Sequence, residues 1–80
     1  MNYSSFLLDD IRKAKAENIP ELIKHMTAVG YDDYEIIEYL DIDEQKYEEI
    51  VYYGAKVSSK DALYIKSKLL SFVSKNPPQI

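Results

Sequence analysis

Eighty residues with 46% apolar and 30% charged side chains make one folded domain at most: too apolar to stay disordered, too short for a second core. The absence of cysteine excludes disulfides, thiolate metal sites and thiol catalysis. The net charge of −4 is unevenly spread, with residues 1–17 summing to zero, residues 18–53 to −8 and residues 54–80 to +4.

Two glycines and three prolines leave few turns, which favours helices with brief connections over a many-stranded sheet. The first helix is expected from about Ser5 to Glu17, on the spacing of Leu7, Leu8, Ile11 and Ala14, with Ser4 or Ser5 as its cap. The second runs from about Ile19 to Val29 on Leu22, Ile23, Met26 and Val29. Asn18 and Glu21 resemble a capping box, Pro20 suits a first turn, and Gly30 is the stop. The third runs from about Asp33 to Leu40, capped by Asp32, with Ile36, Ile37 and Leu40 facing inward. After the turn "DID", the fourth runs from Asp43 to about Tyr53 on Tyr47, Ile50 and Val51, and Gly54 ends it. The fifth runs from about Ser59 to Lys75, with Ser58 and Asp61 as a cap pattern. Ala62, Ile65, Leu69 and Val73 form its stripe, widened by Leu63, Leu70 and Phe72, and Asn76-Pro77-Pro78 stops it.

No apolar run approaches the ~20 residues that cross a bilayer, so no membrane association is expected. No signal peptide is legible, because "SFLL" is followed at once by "DD", and a cytoplasmic setting is the default expectation.

Segments three and four resemble the helix-turn-helix family. That motif holds two short helices at a steep angle against a third through five apolar anchors. Here these are Ile36 and Leu40 in the first helix, Ile42 in the turn, and Tyr47 and Ile50 in the second. The stretch "PELIKHMTAVGY" supplies the third member, so the resemblance covers about residues 19–53. It implies an all-α single domain over residues 1–80, a small helical bundle with a helix-turn-helix-like trihelical core plus N- and C-terminal helices. Two positions depart from the family. A small residue is usual where Ile37 stands, and an isoleucine there pushes the helices apart or tilts them. Glycine is usual at the left-handed turn position held by Asp41, although aspartate visits that region more readily than most residues. A looser resemblance links "HMTAVGYDDYEIIEYL" to ubiquitin-associated domains, with "TAV" separating the methionine from the glycine.

The chemistry of the reading helix is wrong for DNA. Its outward positions are Asp43, Glu44, Gln45, Glu48, Glu49 and Tyr52, and Lys46 is its one cation. Phosphate contact needs Lys and Arg, and Arg12 is the one arginine in the chain. Nine carboxylates fall between Asp32 and Glu49, and six of the eight tyrosines between Tyr31 and Tyr53. Tyr47 reads as core, whereas Tyr52 and Tyr53 cannot both point inward. The acidic centre and the basic C-terminal segment either neutralise each other, within one fold or between subunits, or steer a charged partner.

Nothing in the spacing makes a chemical site. His25 is the one histidine and is not placed near Ser58, Ser59 or Ser67, and "DIDEQK" lacks the glycine and final glutamate of a calcium loop. No catalytic residue, cofactor or metal is expected, and the chain reads as a non-enzyme. The leading expectation is a small regulator or inhibitor that binds another protein, one with a basic, nucleic-acid-binding surface, through Tyr34, Glu35, Glu38, Glu44, Glu48, Glu49 and Tyr52. Carboxylates would stand where phosphates normally lie, as in small phage-encoded inhibitors. The alternatives are a dimeric DNA-binding transcriptional regulator using lysines outside the reading helix, and a homodimer paired through the fifth segment.

Overall fold

A computed structural model describes residues 3–78, and every regular element among them is helical. Helix α1 spans Tyr3–Lys13, α2 Ile19–Ala28, α3 Asp33–Leu40, α4 Glu44–Tyr52 and α5 Ser59–Lys75, with one 3-10 turn at Ala16–Asn18.

The third, fourth and fifth helices fall close to where their apolar spacing puts them. Asp32 caps α3 by accepting from the Tyr34 amide at 3.2 Å, and Ser58 caps α5 by accepting from the Asp61 amide at 3.1 Å. Asp43 occupies the cap position of α4 with extended backbone, but its side chain makes no capping bond. Gly30 and Gly54 follow α2 and α4 with positive φ. Asp41 closes α3 in the left-handed region at φ 55° and ψ 47°, the conformation for which the family prefers glycine.

The second helix also matches its expected span, and only the first departs from the expected boundaries. Helix α1 stops at Lys13, not Glu17. Its start at Tyr3 puts Ser4 and Ser5 inside the helix rather than before it, and their side chains lie outside the described residues. Lys66 reaches across from α5 and donates to the Arg12 carbonyl at 2.9 Å, which satisfies one of the open acceptors at the end of α1. The chain then tightens into the 3-10 turn, where Asn18 Oδ1 accepts from the Lys15 amide at 3.2 Å. Turned back this way, Asn18 makes no side-chain cap for α2. Pro20 in that first turn has no amide hydrogen to satisfy.

One core holds the helices together. It contains Leu7 and Ile11 of α1, Ile19, Leu22, Ile23 and Met26 of α2, and Ile36 and Leu40 of α3. Tyr47, Ile50 and Val51 of α4 and Ala62, Ile65, Leu69, Phe72 and Val73 of α5 complete it. Four of the five helix-turn-helix anchors are thus buried, and Ile42 in the turn is half-buried.

Helix α5 packs on both α1 and α3, while α4 packs chiefly on α2. The fifth helix therefore braces both α1 and α3. Ile37 is half-buried at the edge of the core, and α3 finds its main neighbour in α5. Leu63 does not widen the α5 stripe as expected. It is 71% exposed, because it lies about 100° around the helix from Ala62.

The turn at Asp41 gives a direct test of backbone strain. Asp41→Val forces a β-branched residue into the left-handed region and is expected to lower stability by about 1–2 kcal/mol. Asp41→Gly is expected to stay within about 0.5 kcal/mol of the parent, relief of strain being offset by a freer unfolded chain. Urea unfolding followed by circular dichroism measures both. An equal loss in the two variants would show that the Asp41 side chain, and not its φ, matters.

Candidate interaction surface

The acidic surface is organised around one carboxylate. Asp33 stands in the first turn of α3, where a negative charge suits the helix dipole. Its Oδ1 accepts the Tyr47 phenol at 2.5 Å and the Tyr52 phenol at 2.9 Å, and the Tyr52 hydroxyl also lies 3.1 Å from Oδ2. The two rings meet edge to face with centroids 6.5 Å apart, a favoured aromatic geometry. Tyr47 is core, at 1% exposure, and Tyr52 is 46% exposed. One carboxylate therefore ties the start of α3 to both the buried and the outer side of α4.

The local field is negative. Burial, then the hydrogen bond to Asp33 and its charge, push the Tyr47 phenol far above the ordinary 10.0, with smaller contributions from Tyr52 and Asp32. Tyr52 is raised by the same causes in the same order, burial first, with Glu48 adding to Asp33.

The expected surface residues divide into groups. Glu44, Glu48 and Tyr52 follow one another at four-residue spacing along α4 and so form one stripe, all exposed. Glu49 lies on the next stripe with Gln45 and Tyr53, and Tyr53 is 77% exposed. The charge of Glu48 acts on Tyr52, and Tyr52 comes up against the first turn of α3 through Asp33. Tyr34 is 66% exposed beside it, and Glu38 follows Tyr34 one turn along α3. Glu35 separates from this group: it lines a cleft with Gly30, Tyr31, Lys75 and Asn76 at the other side of α3.

The sequence marks Asp33 as the start of a helix and as one of nine carboxylates in the acidic region, not as the acceptor for two phenols. Its partners stand 14 and 19 residues away, and no local signal points to them.

Few ion pairs join the charged segments among the described residues. Among the described residues the ion pairs are Arg12–Asp9 at 3.2 Å and Lys46–Asp61 at 3.6 Å. The second links the acidic and basic segments through the minority charge of each. It turns the one α4 cation toward α5 and leaves Glu44, Glu48 and Glu49 without an ion-pair partner among the described residues. Nor do the described carboxylates form a cluster able to hold a metal ion. No helix among the described residues is long and apolar enough to cross a membrane.

Comparison with protein-family models, with characterised proteins and with solved structures found no significant match.

The Tyr47–Asp33 pair predicts an alkaline limit to stability. A phenol whose folded pKa is raised supports the fold fully below the unfolded value of 10.0, and that support is lost as pH climbs from there toward the folded value. Tyr31 and Tyr52, also raised, act in the same direction, and Tyr39, lowered, opposes them. Tyr47→Phe is expected to cost about 1–2 kcal/mol at neutral pH through the lost hydrogen bond to a charged group. It should also flatten the fall in stability above pH 10. Urea midpoints measured from pH 7 to 11 check both effects.

Proposed function

We propose that this protein is a non-enzymatic regulator or inhibitor that binds another protein through the acidic, tyrosine-bearing surface of α3 and α4. The observation that carries the reading is the row Glu44–Glu48–Tyr52, with Glu49 beside it, exposed and without ion-pair partners among the described residues. Like charges four residues apart on a helix cost a few tenths of a kcal/mol. A surface that keeps them against this local cost suits contact with cations supplied from outside. Tyr34 and Tyr53 add large rigid contact area, and no hydrogen bond within the fold ties up either hydroxyl among the described residues. The Asp33 bridge holds the two helices in one arrangement before any partner arrives, which limits the entropy lost on binding.

The partner this chemistry fits carries a basic, nucleic-acid-binding groove. Carboxylates would meet its Lys and Arg side chains, and tyrosines would fill the apolar gaps between them. The same charges repel a DNA backbone, so the helix-turn-helix resemblance of α3 and α4 is read here as a scaffold and not as a DNA reader.

The test uses purified basic nucleic-acid-binding proteins and, separately, a labelled random-sequence duplex. Binding to a protein of the first set, weakening with salt, is the expected result, together with no binding to the duplex at low salt. The double change Glu48→Lys/Glu49→Lys should weaken the protein complex by about tenfold or more and leave the thermal midpoint intact. Glu48→Lys places a cation one turn after Glu44, a favourable helical pair. Protein binding that survives the double change overturns the acidic-surface reading. Duplex binding that falls steeply with salt favours a DNA-binding regulator instead.

A further inference from the structure

Tyr39 differs from the phenols near Asp33: it is pulled below 10.0, first by its hydrogen bond to Ser71 and then, against burial, by Lys75 and Lys68. The cause is an arrangement on the other flank of α3. Tyr39 leans on α5, where its hydroxyl meets Ser71 Oγ at 2.6 Å. Its ring packs on Phe72 with centroids 5.1 Å apart. Lys68 precedes Ser71 by three residues and Lys75 follows it by four, so the three side chains issue from one stripe of α5. Lys75 Nζ lies 5.9 Å from the Tyr39 ring centre. Lys68 Nζ lies 5.7 Å from the ring centre of Tyr64, whose hydroxyl is fixed on the Leu40 carbonyl at 2.8 Å. Neither lysine meets a carboxylate at ion-pair distance among the described residues.

We propose that Lys68, Lys75, Ser71 and Tyr39 form a binding site for the phosphate group of a phosphomonoester. Two ammonium groups match the charge of that group, which approaches −2 above its second pKa of about 6. Of the two paired hydroxyls, one donates to the other and the second keeps its proton for a ligand. The donors are held in place before binding, because both hydroxyls sit on packed helices and both lysines rest against pinned rings. A phosphodiester carries one charge and leaves one ammonium uncompensated. Glu35 lines the cleft on the far side of Lys75 and opposes an anion there. The site is independent of the acidic surface: Asp33 and its phenols face α4, and Tyr39 faces α5.

The test is a titration of the full chain with inorganic phosphate near pH 8, at ionic strength held constant with chloride, read by amide chemical shifts. Saturable shifts centred on Tyr39, Lys68, Ser71 and Lys75 are expected. Lys68→Gln/Lys75→Gln should weaken them at least tenfold with an unchanged circular dichroism spectrum, since neither lysine belongs to the core. Ser71→Ala, which keeps both charges, should weaken binding less, and Glu35→Gln should tighten it. Shifts that fail to saturate, that spread over all lysines alike or that survive loss of both lysines overturn the site. Dimethyl phosphate, or an oligonucleotide without a terminal phosphate, binding as tightly as phosphate overturns the monoester assignment and points to a nucleic-acid backbone.

Discussion

A phenol buried in a small core must find an acceptor or forfeit about 1–3 kcal/mol, and that requirement organises this fold. Tyr47 is the largest side chain that is fully buried. Its hydroxyl reaches Asp33 in the first turn of α3, which fixes the start of one short helix against the middle of the next. Tyr52 then closes on the same carboxylate from outside. No buried side-chain polar atom among the described residues is left unpaired.

The high tyrosine content follows in part from the same constraint. Five hydroxyls act as ties between elements: Tyr31 to the Asn76 carbonyl, Tyr39 to Ser71, Tyr47 and Tyr52 to Asp33, and Tyr64 to the Leu40 carbonyl. In a domain of this size an aromatic body that covers the core and a polar tip that ends on a neighbouring helix serve packing and orientation together. This narrows the case for an interface. Among the described side chains, the tyrosines with hydroxyls still open are Tyr34 and Tyr53, both well exposed beside the carboxylates of α3 and α4.

Few ion pairs join the acidic and basic segments among the described residues. Helix α4 carries a negative stripe whose one lysine turns to Asp61. On helix α5, Lys68 and Lys75 share a stripe and rest against tyrosine rings, while Lys66, on another face, reaches the end of α1. The two stripes lie on different flanks of α3, because Asp33 and Tyr39, six residues apart, face different neighbours. One short helix thus separates a surface suited to cations from one suited to anions.

Apolar spacing, cap residues and breakers act through neighbours in the chain, and from them the sequence by itself determined an all-α fold, the extents of α2, α3, α4 and α5, and most of the core. The left-handed turn at Asp41 was implied by the helix-turn-helix resemblance, which places glycine there. The end of α1 was not legible, and there the Arg12 carbonyl accepts from Lys66, 54 residues away. The expected partner surface, Tyr34, Glu35, Glu38, Glu44, Glu48, Glu49 and Tyr52, was read from exposure by helical period, which does not say on which flank of a helix a residue falls. Tertiary packing alone decided that Glu35 lines a cleft with Lys75, that Asp33 gathers two phenols, and that Ser71 and Lys75 meet Tyr39 while Lys68 rests on Tyr64. These groups join residues 14 to 40 positions apart, and only the packing of α3 between α4 and α5 brings them together.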